Sequence, residues 1–228
     1  MLKGLYAVLA FILILSGCAK QEENAEAENK QNQTESIDME EEERTIQEVN
    51  DDRDYVDNPQ APDTRSLNEI GDQFEDEDGN ITLEAITDYQ KMHSIGPIQM
   101  SIRDVKVVNF SPAMHLVDYF HGFTHNEENF NYIKMYVTIE NTSDQMVNFA
   151  PVSILETEAG EKKDFEDDFY LQNLYGDLSA GQKKTGELAF ILEETNIEQI
   201  GTISLITSDV FDKENQSIEQ GKEITIEF

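Results

Sequence analysis

The sequence predicts an all-β fold, an antiparallel sandwich or barrel, over residues 91–228. Short runs of alternating apolar and polar residues recur through that stretch. Clusters of Gly, Asn, Asp and Ser separate the runs at spacings suited to short strands. No internal repeat occurs, and strands do not alternate with helical periodicity as they would around a parallel sheet.

The alternating runs are Ile98, Met100 and Ile102; Ile133, Met135, Val137 and Ile139; Leu188, Phe190 and Leu192; Ile203 and Leu205; and Ile224, Ile226 and Phe228. Successive side chains of a strand point to opposite faces, so each run has one apolar face to bury. Turns are expected at 141–144, 158–161, 179–182 and 220–221, where the chain reads Asn-Thr-Ser-Asp, Glu-Ala-Gly-Glu, Ser-Ala-Gly-Gln and Gln-Gly. About 130 residues are enough for one hydrophobic core.

Residues 18–90 read as an acidic linker, mostly without order. Gln21 to Gln33 is a run of Glu, Asn, Gln, Ala and Lys; Glu40 to Glu43 and the Asp51-Asp52-Arg53-Asp54 cluster follow. Too few apolar residues are present to offset the entropy of ordering, and blocks of like charge extend the chain. A flexible linker of about 70 residues has an end-to-end distance of ~45–50 Å. Near its end, Ser66 and Glu69 have capping-box spacing, and Leu67, Ile70 and Phe74 could share a helix face, so short helical turns are expected within 66–93.

The first 17 residues predict a signal peptide. Lys3 is followed by an apolar run from Gly4 to Leu15. That run is shorter than the roughly 20 residues needed to span a bilayer. It ends in Leu15-Ser16-Gly17-Cys18, which resembles the lipobox of bacterial lipoproteins and implies a diacylglyceryl group on Cys18. Cys18 is the only cysteine in the 228 residues, so no internal disulfide is possible. Two acyl chains hold a protein stably to a membrane. The expected location is therefore the outer side of the cell membrane, with the lipid on Cys18 as the contact.

The chain has 48 acidic and 16 basic residues, a net charge of −32. That excludes generic nucleic-acid binding and opposes docking on anionic headgroups. The acidity serves solubility, or its clustered carboxylates bind Ca²⁺. The stretch Asp76-Glu77-Asp78-Gly79 echoes a calcium loop. With Gly79 in the sixth position, however, Phe74 and Ala85 fall where the first and last ligands belong, so it reads as an acidic turn.

The stretch from Tyr132 to Ser143, ending Glu140-Asn141-Thr142-Ser143, is similar to a signature of small immunoglobulin-like domains in Gram-positive lipoproteins. The stretch from Ala180 to Phe190, a glycine turn leading into a strand, fits the same pattern. The resemblance covers about 95–228. It implies an immunoglobulin-like antiparallel β-sandwich and no catalytic residues.

The segment 110–130 is longer, and richer in aromatics and His, than a strand connection needs. Three of the 4 His residues lie in it, at His115, His121 and His125, beside Asp118, Glu127 and Glu128. Imidazole with carboxylate is a zinc ligand set, so His115, Asp118, His121 and His125 are candidate metal ligands. No His-Glu-x-x-His motif is present, and Gly122 interrupts the helical spacing of His121 and His125. The other readings are a loop whose aromatics cap one end of the sandwich, or a surface for an envelope or protein partner. No nucleophile motif, phosphate loop or paired-cysteine site occurs. The expected function is a binding or interaction module without catalysis or cofactor. A metal-binding lipoprotein and a spacer without ligand are the alternatives.

Overall fold

A computed structural model describes residues 58–228 and a two-residue strand at Arg44–Thr45. Cys18, the signal segment and the linker up to residue 57, that strand apart, lie outside the described residues. The strands in chain order are β1 (Arg44–Thr45), β2 (Gln73–Asp76), β3 (Gly79–Ile86), β4 (Lys91–Ile95) and β5 (Ile98–Pro112). A single helical turn α1 (Val117–Phe120) precedes β6 (Phe130–Asn141), β7 (Val147–Phe149), β8 (Ile154–Thr157), β9 (Lys162–Asp164) and β10 (Gly176–Leu178). The last five are β11 (Lys183–Leu192), β12 (Thr202–Ile206), β13 (Val210–Asp212), β14 (Ser217–Glu219) and β15 (Glu223–Glu227).

The fold is an antiparallel β-sandwich, as the alternation predicts. One layer is a seven-stranded sheet centred on β5 and β6. β5 pairs with β6 on one side. On its other side it pairs with β4 through 98–102 and with β3 through 106–112. β11 pairs with β6, Phe190 lying opposite Ile133. Facing it are two four-stranded sheets, β10-β7-β13-β14 and β15-β12-β8-β9. The core between the layers holds Ile98, Met100, Ile102, Ile133, Met135, Val137, Ile139, Leu188 and Phe190 against Phe149, Leu155, Leu205 and Ile226. All of these but Phe149 and Leu155 are alternating positions read from the sequence.

The large sheet is also covered on its other face. There Val108, Phe110, Phe130, Tyr132, Ala189 and Ile191 form a second cluster with Ala61, Leu67, Phe120, Phe169 and Tyr170. The cover comes from residues 58–67, the segment around α1, and 168–170. Asp168 and Gln172 also close the free edge of β11: Ala189 N–H donates to Asp168 Oδ1 at 2.9 Å and Glu187 N–H to Gln172 Oε1 at 2.8 Å. A bare edge of that length would invite pairing with another chain.

The helical turns expected within 66–93 are replaced by strands. Residues 73–86 form the β2–β3 hairpin, and β3 adds to β5. Asp72, not a capping box, organises the preceding turn by accepting the Asn68 and Glu69 amides at 2.8 and 2.9 Å. Leu67 is buried while Ile70 is exposed, so they share no face. Ordered structure therefore begins well before residue 91. The acidic turn is the hairpin loop, and Gly79 is required there: a Cβ would lie 2.4 Å from the Ser111 carbonyl oxygen.

Candidate functional site

The connection from β5 to β6 carries the sequence's candidate residues. Its aromatics face inward. Phe120 is fully buried and meets Phe110 edge to face at 5.7 Å and Phe169 at 5.3 Å. Tyr119 O–H donates to the Phe169 carbonyl at 2.6 Å. The tip is held by Glu193, just past β11, whose Oε1 accepts from Thr124 Oγ1 at 2.9 Å and the His125 amide at 3.3 Å. Asn129 bonds Asn109 and Ser111 across the base at 2.9 and 2.8 Å.

With its aromatic side chains used for packing, the connection turns most of its charged ones outward. Asp118, His121, His125 and Glu127 line an open cleft of about 450 Å³, together with Val117, Glu128 and two asparagines. His121 Nδ1 lies 2.6 Å from Glu127 Oε1, and the His121 side chain is 78% exposed. His115 goes elsewhere: its Nε2 is 3.4 Å from Asp78 in the β2–β3 turn. The four candidate ligands thus do not converge on one point. Among the described residues no group of three or more His, Cys, Asp or Glu side chains is arranged to hold a metal ion. The remaining histidine, His93, is in the interior beside Tyr89, with 2.7 Å between Nε2 and the phenol oxygen.

A second constellation escaped the sequence reading. Lys106 and Lys134 stand directly opposite each other on β5 and β6, where like charges repel. A bulge between Arg103 and Lys106 resolves this by bringing in Asp104, whose backbone is left-handed at φ 51°. Asp104 Oδ1 lies 2.8 Å from Lys106 Nζ, and Oδ2 contacts Lys134 Nζ directly. Lys134 Nζ also meets Glu187 Oε1 at 2.6 Å, and Lys106 donates to the Thr64 carbonyl at 2.9 Å. The Lys134 side chain is 0% exposed. Burial raises the Asp104 carboxyl's pKa, but Lys134 and Lys106 outweigh it and hold the group below its ordinary value. Burial opposes the charge on Lys134, yet Glu187 and Asp104 raise its pKa.

The signal that could have revealed this lies in β6. Lys134 alternates with Tyr132 and Tyr136, so the supposed solvent face of the strand is aromatic. A strand apolar or aromatic on both faces is covered on both.

Two further carboxylates are buried. Glu161 accepts the amides of Glu193, Glu194 and Thr195 at 2.8, 3.1 and 2.9 Å, and the Thr195 hydroxyl at 2.7 Å. Burial works to raise its pKa, but those donors and Lys163 bring it below the ordinary value. Asp168 has too few partners. Its Oδ2 accepts no hydrogen bond, and burial pushes the carboxyl up to about 6 against the pull of the Ala189 and Tyr170 amides.

Sheet architecture and covered second face define an all-β sandwich protein. The chain is 32% identical over 240 residues to the uncharacterized protein YdhF of Bacillus subtilis (strain 168), covering all of both chains, and it belongs to that protein's family. No family model matches it. Among solved structures it is similar to a functionally unknown protein from Listeria monocytogenes EGD-e, at 15% identity and a TM-score of 0.47 over 66% of this chain and 88% of that one. A conserved hypothetical protein from Bacillus anthracis is similar at 10% identity and a TM-score of 0.36, covering 60% of this chain and 95% of the other. Among the described residues no helix is long and apolar enough to cross a membrane.

Proposed function

We propose that this chain is a bacterial lipoprotein, tethered to the outer face of the cell membrane through a lipid on Cys18. Its immunoglobulin-like sandwich acts as a binding module without catalysis. The observation that carries the binding reading is the cleft beside α1. Its polar lining stands on a connection fixed from beneath by Phe120, Phe130 and Phe169 and at its tip by Glu193. A site whose backbone is set before binding loses little entropy on engaging a partner. Carboxylates and amides dominate the lining, so the partner is an envelope or protein component rich in hydrogen-bond donors, and not nucleic acid.

Crosslinking on intact cells tests this. A His121→Ala, His125→Ala, Glu127→Ala triple variant is expected to lose the wild-type crosslinked partners while its thermal midpoint stays unchanged. The same partners captured by a folded triple variant would remove the cleft as the binding surface.

A further inference from the structure

We propose that the folded chain forms an amide bond within itself, between Nζ of Lys134 and Cγ of Asp104, with Glu187 carrying the protons. The geometry points to this reaction because one amine, one carboxyl to be attacked and one carboxyl to shuttle protons meet in the interior. Lys134 Nζ contacts Asp104 Oδ2, lies 2.6 Å from Glu187 Oε1, and is 0% exposed. The three side chains stand on neighbouring strands or on the bulge between them, so folding alone brings them together.

Each step has its agent on the page. The ammonium of Lys134 passes one proton through Glu187 to Oδ2 of Asp104, against the preference of the charged pair, so that a neutral amine faces a neutral carboxylic acid with no change in net charge. The free amine adds to Cγ of Asp104. Negative charge then develops on Oδ1, where Lys106 Nζ is already placed at 2.8 Å as a charged hydrogen-bond donor. A further nitrogen proton moves through Glu187 to Oδ2. The Cγ–Oδ2 bond breaks and that oxygen leaves as water, carrying two of the three original ammonium protons. The third stays on the amide nitrogen. No oxidant, metal or cofactor is consumed. Glu187 and Lys106 end as they began, one carboxylate and one ammonium, so the interior remains neutral. The bulge fits this role: Asp104 in a left-handed conformation turns a short side chain toward Lys134, where a regular strand residue would place Lys106 against Lys134 unopposed.

Peptide mapping of the full chain, purified folded and then denatured and digested, tests the proposal. The expected result is one branched peptide containing both Asp104 and Lys134, one water lighter than the two linear peptides together. Asp104→Ala and Lys134→Arg should each yield linear peptides only. Glu187→Gln, folded by circular dichroism, should show the branched species forming many-fold more slowly. Unmodified linear peptides as the only products from folded wild type would overturn the proposal. That measurement needs no variant, so a variant that fails to fold does not obscure it. Full branching in Glu187→Gln would overturn the role given to Glu187.

Discussion

At the scale of the residue, two buried carboxylates respond to pH in opposite directions. Asp168 is 2% exposed and its carboxyl is pushed up from 3.8 to about 6. The folded state therefore holds that proton more tightly than the unfolded chain. Its contribution is fully present below about pH 4 and is lost as pH rises through 6, worth up to about 3 kcal/mol. Asp168→Asn removes the charge, so its melting midpoint is expected to exceed wild type at pH 8 and to converge with it by pH 4. Calorimetry across that range checks the sign. Glu161 behaves oppositely because its pKa is lowered. Its contribution is present above the unfolded value of 4.5 and is lost as pH falls through the folded value. Glu161→Gln sets an amide NH₂ against a row of N–H donors and is expected to cost about 2–3 kcal/mol at pH 7 in denaturant unfolding. Neither role shows in the sequence, where Asp168 and Glu161 are two of 48 acidic residues.

At the scale of the element, the β5–β6 connection combines two properties on one short stretch. Its inward residues belong to an aromatic cluster spanning α1, β6 and the segment at 169–170. Phe120→Ala is expected to lower stability by about 3–5 kcal/mol, as for other large aromatic truncations in a packed core. His121→Ala, whose ring projects into solvent, should change it by less than about 0.5 kcal/mol. Paired chemical denaturation curves separate the two. Sequence pattern located this element but not its division of labour. His121 and His125 alternate with aromatics in a stretch without helical or strand periodicity, and only the course of the backbone decides which side chains turn inward. The second face of β6 is hidden from the sequence for a related reason. Its apolar face at Ile133, Met135, Val137 and Ile139 is plain, and alternation puts Lys134 on the opposite face without saying what covers that face. A long connection and the stretch at 58–67 fold over that side, and local alternation carries no information about what a distant segment covers.

At the scale of the whole molecule, the charge and the single cysteine bear on location. With a net charge of −32, the chain should be repelled by anionic headgroups, so a lipid on Cys18 would be its membrane contact. A Cys18→Ser variant, checked for signal processing, is expected to move from the membrane fraction to the medium or wash. Retention of the processed variant at the membrane would point to a peripheral contact instead. The sequence by itself determined the all-β class, the core strands β5, β6, β11, β12 and β15, the main turns and the candidate stretch at 110–130. Each of these rests on local periodicity or turn chemistry within a few residues. Only the tertiary structure decided that residues 73–86 are strands, that the large sheet is buried on both faces, that His115 parts company with His121 and His125, and that Lys134, Asp104, Lys106 and Glu187 meet. Those outcomes depend on pairing between segments far apart in the chain, and the hydrogen bonds and desolvation that select such pairings exist only once the strands are side by side.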